Sequence, residues 1–528
     1  MRLKATLTQS LAAVVQSFLT ANTGAVVPVE ELRWGVPPSP EIGDYSSDLP
    51  AILARRLGRA AAEVAAEFAS RIQFPDGLVD RVDATRSGFL NIRLSEAALR
   101  GRVSEIVDTG VGYGADPTVN NGSRILLEFV SAQPTGPLTT AHGRSAAFGD
   151  SLAAILEACG AAVTRESYVN DAGIHLDRLV RSVSALGRTH LGEASVRFPL
   201  DGYQTSEAHR IAELLAGRKP ELFARPAAAL LTAVRDEVLS GHGSLLSKLG
   251  LSVDNWVLET DVSAPGGHLE TSLRRLKSAR RSYEEAGATW LRSTEFGDQQ
   301  DRVLVRGNGR PTYLACDLAY HAGKFARGYD HLIDVWGVDH SLYVERTLAG
   351  IRALDLPEER LSILILQPVQ FQRDGVTLDG PELGNTGELS DVVNLIGPEM
   401  TRFMLVSAPA SVSLGIDLSD IAASPASESL SSIRSMRDRL KQASLAPDAV
   451  SQASGAERVL CRRLAEFPDV VAHAGLEREP NRIYRYAQHL AADASTWVGR
   501  GGGGAALPAA TLTVLENALR LLGVSLGG

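Results

Sequence analysis

Lysine is nearly missing from this chain. Six of its 53 basic residues are lysine (Lys4, Lys219, Lys248, Lys277, Lys324 and Lys441), and the rest are arginine. A GC-rich coding bias, which also favours alanine and glycine, accounts for the scarcity except where a chemistry needs an ammonium. Cysteine is equally rare. Cys159, Cys316 and Cys461 lie far apart and form neither a CxxC pair nor a zinc spacing. That excludes a zinc site on motif grounds and fits a reducing compartment. No apolar run approaches the ~18 residues of a membrane span. Arg2 and Lys4 before an apolar stretch imitate a signal peptide, but Gln16 and Ser17 interrupt it and no small-residue cleavage site follows. Leu3, Leu7, Leu11, Val14 and Phe18 recur at helical spacing instead, so an amphipathic helix is the better reading. Nor is basic charge in excess. The net charge of −9 excludes a uniformly basic nucleic-acid coat and leaves room only for a local basic face. A cytoplasmic protein with no membrane contact is expected.

What is present is ordinary globular composition over 528 residues, enough for about three domains. Residues 1–118 alternate helical patterns with short strand-like pieces. The stretch 49–72 reads as one or two amphipathic helices, and 88–95 alternates like a strand. A turn-rich segment from Gly110 to Ser123 marks a boundary. Residues 119–420 begin with a buried strand (125–130), a Pro/Gly loop, a helix (141–157) and a second strand (161–169). This is a βαβ unit and implies a parallel sheet. A largely helical insertion spans about 175–290. Strand signals at 301–307, 331–339 and 361–371 are expected to complete the sheet. Residues 421–528 read as all helix: 426–444, 455–475, 480–497 and 508–523.

The loop from Ser131 to Arg144 joins a parallel strand to a helix N-terminus. In doubly wound sheets that position binds ligands, because free backbone N–H groups and the helix dipole favour phosphate. A plain structural turn would look similar on this ground alone.

The stretch LLEFVSAQPTGPLTTAHGRSAAFGDSLAAILEACGAAVTRESYVNDAG (126–173) resembles the nucleotide-binding start of arginyl-tRNA synthetases. The likeness rests on Ser131, Pro134-Thr-Gly-Pro137, His142-Gly-Arg144, Gly149-Asp150 and Tyr168-Val-Asn-Asp-Ala-Gly173. Other segments resemble the same family in order along the chain: 43–50 and 87–95, PTYLACDLAYHAGKF (311–325), VWGVDHSLYV (335–344) and 465–491. The resemblance implies an α/β fold: a class I Rossmann-type parallel-sheet core between an α+β N-terminal domain that contacts tRNA and an all-α anticodon-binding-type domain.

It also implies roles. Glu128 and Gln133 match the residues that hold the α-amino end of substrate arginine, with Gln133 one methylene longer than the family's asparagine. Tyr313 and Asp317 match those that recognise the guanidinium, for which a carboxylate is the strong, bidentate partner. ATP would lie against Pro134, Gly136, Ala141, His142, Gly337, Asp339 and His340. It enters as a substrate with Mg2+, and no protein-bound metal is implied. Arginine and tRNA are the implied partners of a monomer.

The departures are specific. The family's HxGH motif reads Thr139-Thr140-Ala141-His142 here, so His142 survives and Thr139 replaces the first histidine. The KMSK motif falls on Leu378-Asp379-Gly380-Pro381, which holds no cation, and Asp379, Glu382 and Glu388 would repel triphosphate. No lysine lies shortly before HxGH to compensate, since none occurs between Lys4 and Lys219. Arg144 and Arg373 could supply charge, although a solvent-exposed structural role suits each better. The opening helix of the last domain lacks aromatics for base stacking, while Arg434, Arg437 and Lys441 leave it a basic face. Tyr484, Tyr486 and Trp497 belong in the helical core. The sequence therefore supports an arginine-activating ligase that charges tRNA. It leaves open a diverged ATP-dependent arginine:amine ligase or a noncatalytic arginine- or tRNA-binding regulator.

Overall fold

The computed structural model describes residues 2–22, 32–378, 387–419, 421, 424–443, 455–501 and 505–525. The chain forms two compact units. One comprises Asn120–Ser427 with Leu522–Val524, the other Met1–Val119, Glu428–Leu521 and Ser525–Gly528.

The first unit is built on a five-stranded parallel sheet. Its strands are β1 (Arg124–Glu128), β2 (Ala162–Val169), β3 (Asn255–Leu258), β4 (His331–Gly337) and β5 (Leu361–Leu366), in the spatial order β5-β4-β1-β2-β3. All four neighbouring pairs are parallel. The chain winds outward from β1 in one direction and then restarts at β4 on its other side. The C-terminal ends of β1 and β4 thus flank a topological switch point, where such sheets bind ligands. Helix α1 (Thr140–Ala158) follows β1, and helix α2 (Tyr313–Ala326) precedes β4. In α1 a Cβ on Gly149 would fall 2.5 Å from the Phe129 ring, so the helix can settle on the strand end only with glycine there. Three insertion helices, Ile174–His190, Ser206–Arg218 and Leu231–Lys248, enclose an apolar cluster of their own around Leu179, Val183, Ile211, Leu215 and Val234.

The sheet differs from the sequence expectation in three places. Arg302–Val305 does not join it. It closes an antiparallel meander with Ser282–Glu285 and Ala288–Leu291. A two-residue turn with Ala286 and Gly287 both at positive φ forces that hairpin. Instead, β3 supplies the edge strand from inside the segment read as helical. The stretch 361–371 is two strands, because Pro368 carries no N–H for a ladder. Leu361–Leu366 joins the parallel sheet, while Val369–Arg373 pairs with Val376–Thr377 and Leu414–Asp417.

In the second unit, a three-stranded antiparallel sheet (Tyr45–Ser47, Leu90–Leu94, Val79–Ala84) packs with helices Leu3–Asn22, Leu49–Leu57 and Ala61–Arg71. Leu3, Leu7, Leu11, Val14 and Phe18 are all buried. Helices Gly455–Ala465, Phe467–Leu476, Asn481–Gly499 and Ala506–Leu521 complete it. The expected helix 455–475 is split, with Pro468 opening the second piece. Tyr484, Tyr486 and Trp497 are buried as expected. The N-terminal and C-terminal stretches are joined by polar contacts: Arg458 pairs with Asp44, the Tyr45 hydroxyl donates to Glu466 (2.9 Å), and Asp469 accepts from the backbone N–H groups of Lys4 and Ala5 (2.9 and 3.2 Å). The last of these caps the first helix with a carboxylate. Among the described residues no helix is long and apolar enough to cross a membrane.

Candidate active site

Parallel register puts three acids side by side. Asp334 of β4 is opposite Glu128 of β1, and Glu128 is opposite Glu166 of β2. All three are buried. Like charges directly opposite one another destabilise a sheet, so cations must enter. They come from α2. Lys324, fully buried, ion-pairs with Glu128 and donates to Asp334 Oδ1 at 2.7 Å. Arg327, one turn on, grips Glu166 through two nitrogens, and the Tyr320 hydroxyl donates to the same carboxylate at 2.8 Å. Ser131 donates to the second oxygen of Glu128 at 2.5 Å. Burial raises the Glu128 carboxyl against the pull of Lys324. Asp334 is equally buried but is held below the usual range by two cations, Lys324 and His321.

His321 is the second buried cation. Its Nδ1 faces the Asp317 carbonyl and its Nε2 the Asp334 carboxylate, both at 2.8 Å. Both partners only accept hydrogen bonds, so both ring nitrogens must carry protons. Burial opposes that charge, yet Asp317 and Asp334 outweigh it and lift the imidazole to about 10. The Asp317 carboxylate lies 3.4 Å from His321 Nδ1 and accepts from the Thr347 hydroxyl at 3.0 Å. Tyr313 opens α2 one turn earlier and is half exposed. Glu259, raised by burial with Asp171 and Asp317 adding to the effect, hydrogen-bonds Tyr168 at 3.1 Å. Tyr168 in turn stacks on Tyr320.

The loop after β1 carries backbone strain. Val130 sits at φ 57°, a left-handed conformation costly for a β-branched residue. Ser167 donates to its carbonyl (2.8 Å), and its own N–H donates to Ser145 (3.2 Å). Farther on, Pro134 is buried, Gln133 is exposed, and the Gly136 carbonyl accepts from His242 of the insertion at 2.8 Å. Thr139 is the N-cap of α1. Its hydroxyl accepts from the His142 N–H, while the Thr139 N–H donates to His142 Nδ1 at 3.1 Å. His142 therefore has a bare Nδ1 and carries its proton on Nε2. Burial, with His242 nearby, lowers it to about 4, so it is a neutral donor at physiological pH. Ala141 is exposed in the first turn. Gly337 ends β4, and Asp339 and His340 follow on an exposed 3-10 turn (Val338–Tyr343). Asp339 acts electrostatically on His142, so the loops after β1 and β4 converge.

One expectation changes here. Arg144 is neither solvent-exposed nor turned to the loop. It is buried, donating to the carbonyls of Gln367, Pro368, Pro409 and Val412. Arg373 is exposed as expected. Of the KMSK-matching segment, Leu378 is described, and Asp379, Gly380 and Pro381, like Glu382, lie outside the described residues. Glu388 bridges Thr139 in a short antiparallel contact, with the Leu389 N–H donating to the Leu138 carbonyl at 2.8 Å. An acid is thus fixed beside the start of α1.

The sequence reading missed Lys324, His321, Asp334 and Glu259. The signal for one of them, Lys324, was present. Tyr313, Asp317, Tyr320, Lys324 and Arg327 fall three to four residues apart on an otherwise apolar helix. Among the described residues no group of three or more His, Cys, Asp or Glu side chains could hold a metal ion.

Comparison with known proteins agrees with this layout. Residues 102–364 match the family profile described as tRNA synthetases class I (R), catalytic domain. Residues 1–94 match the arginyl tRNA synthetase N terminal domain, and 426–498 the DALR anticodon binding domain. An arginine–tRNA ligase of Desulforudis audaxviator is 34% identical over 96% of this chain and 94% of its own. Another, of Kineococcus radiotolerans, is 35% identical over 99% and 98%. The solved arginyl-tRNA synthetase of Thermus thermophilus superposes with a TM-score of 0.72 over 99% of both chains at 19% identity, which is likeness of fold. Parallel sheet, switch-point loops and helical domain together define a class I aminoacyl-tRNA synthetase. Within that class, the chain belongs to the arginyl-tRNA synthetase family.

Proposed function

We propose that the chain is an arginine–tRNA ligase: it activates arginine with ATP as an adenylate and transfers the arginyl group to tRNA. The observation that carries the reading is the row of acids at the switch point. Partly exposed Asp317 lies at one end of the charged groups linked to that row and buried Glu128 at the other, beside a helix N-terminus whose His142 offers a neutral N–H donor. A guanidinium against Asp317 with Tyr313 over it, and an α-ammonium toward Glu128, would direct the substrate carboxylate toward the loop 131–139. There it would attack the α-phosphate of MgATP, releasing pyrophosphate. The backbone N–H groups at the start of α1 and His142 Nε2–H would meet the charge that gathers on phosphate oxygens. The N-terminal and helical domains would supply the tRNA contacts, with Arg434, Arg437 and Lys441 on helix Pro425–Ala443 as the basic face.

One observation favours a second reading, arginine binding without activation. Thr139 is committed to capping α1, and Glu388 is pinned beside it where triphosphate would pass. Nothing in the relatives favours a small-amine acceptor. Arginine-dependent exchange of pyrophosphate into ATP decides between the two. Exchange followed by charging of tRNA supports the ligase. Arginine binding without exchange supports the binder.

A further inference from the structure

The site contains a continuous path of charge, buried from His321 onward. It runs from Asp317 to His321 (Nδ1 to Oδ1 3.4 Å), to Asp334 (2.8 Å), to Lys324 (2.7 Å) and onto Glu128. His321, Asp334 and Lys324 are completely withdrawn from solvent. The His321 ring is wedged edge-on against Tyr320 and Trp336, with centroids 5.9 and 6.3 Å away. Three carboxylates and two cations leave this path with one net negative charge, and free arginine carries one net positive charge. In such a dry setting each link is felt by the next, because no water can compensate for a lost partner.

We propose that His321 is a positioning residue of the arginine site. It fixes Asp317 at one end of a buried ionic chain, through Asp334 and Lys324, whose other end is Glu128. This inference rests on the reading of Asp317 and Glu128 as arginine-binding groups and adds what holds them. The Asp317 carboxylate is flanked by Thr347 and His321, and His321 is aimed by Asp334. Asp334 belongs to both ends, since it shares Lys324 with Glu128. The two subsites, separate in sequence, would thus form one electrostatic unit.

The test is direct binding of L-arginine and, separately, of ATP to the full-length protein by titration calorimetry. Asp334→Asn keeps the shape and removes the charge at the centre of the chain. His321→Gln keeps a donor toward Asp334 and removes the one toward Asp317. Each is expected to weaken arginine about tenfold, the scale of one lost coupling, and to leave ATP binding unchanged. Arginine binding equal to wild type in both variants overturns the proposal. So does an equal loss for arginine and ATP, which would mark a merely structural role. If Asp334→Asn does not fold, as judged by thermal unfolding, His321→Gln alone decides. Failure of the wild-type protein to bind arginine overturns the functional reading and this proposal together. Intact wild-type binding with unaffected variants overturns the proposal alone.

Discussion

Glu128 and Asp334 stand side by side on neighbouring parallel strands, and one ammonium, that of Lys324, serves both. Removing it would leave two buried carboxylates facing each other. Lys324→Met is therefore expected to destabilise the unit that holds the sheet by about 3–5 kcal/mol, read as a lower midpoint in urea unfolding. A change under 1 kcal/mol would mean that the acids are satisfied in some other way.

His321 makes stability depend on pH. Its folded value, about 10, is raised above the ~6.5 of a free histidine. The unfolded chain gives up that proton first. The stabilisation is thus complete below about pH 6.5 and is lost as pH rises through the folded value. The stability difference between wild type and His321→Asn should be largest near pH 6 and shrink toward pH 10. Thermal unfolding across that range checks it, and a difference that grows with pH would contradict the assignment.

His142 behaves in the opposite way. Lowered to about 4, it stays neutral while an unfolded histidine would already be protonated, so it costs stability as pH falls from about 6.5 toward 4. Its ring resonance, assigned by its loss in His142→Gln, should not titrate above pH 5. A midpoint near 6.5 would show an imidazole open to water.

Thr139→Ala removes an N-cap and should cost about 1 kcal/mol, with Thr139→Ser close to wild type. Thr139→His trades the cap for the imidazole found at this place in the HxGH motif. If the ligase reading holds, pyrophosphate exchange should rise by roughly 10²-fold, the usual scale of one donor, although the protein melts earlier.

Gly523 should tolerate no side chain. It lies at φ 64°, and a Cβ there would run into the Arg402 guanidinium, which holds the Leu522 carbonyl at 2.6 Å and pairs with Asp150. Gly523→Ala is expected to cost about 2–3 kcal/mol in thermal unfolding. Gly58→Ala, at the same φ with open space around it, should cost only about 1 kcal/mol for its backbone.

The parts of this fold written locally could be read in the sequence. β1, α1 and β2 follow from an apolar run, a Pro/Gly loop and a helical period in succession. Glu128 and Asp317 were found by resemblance of short motifs. What could not be read depends on register. Nothing local to Glu128, Glu166 or Asp334 says that three strands will align them, and only the fold brings Lys324 between two of them. β3 escaped notice because Asn255–Leu258 is too short to set a period of its own. Arg144 was misjudged because an arginine looks solvent-bound until four carbonyls converge on it. The scarcity of lysine was itself a pointer. In a chain that uses arginine almost everywhere, Lys324 occupies a buried slot that takes one compact ammonium between two acids, and a planar fork would not fit that need.

The way the chain passes between its two units has a practical consequence. It leaves the second for the first at Val119–Asn120, returns at Ser427–Glu428, and sends Leu522–Val524 to the first again. No single protease nick at one of these junctions can release either unit as a free fragment. Limited digestion should therefore yield a nicked protein that co-purifies, with separated bands only under denaturing electrophoresis. Expressing residues 120–427 alone would delete the Leu522 carbonyl that Arg402 holds, leaving a buried guanidinium short of a partner.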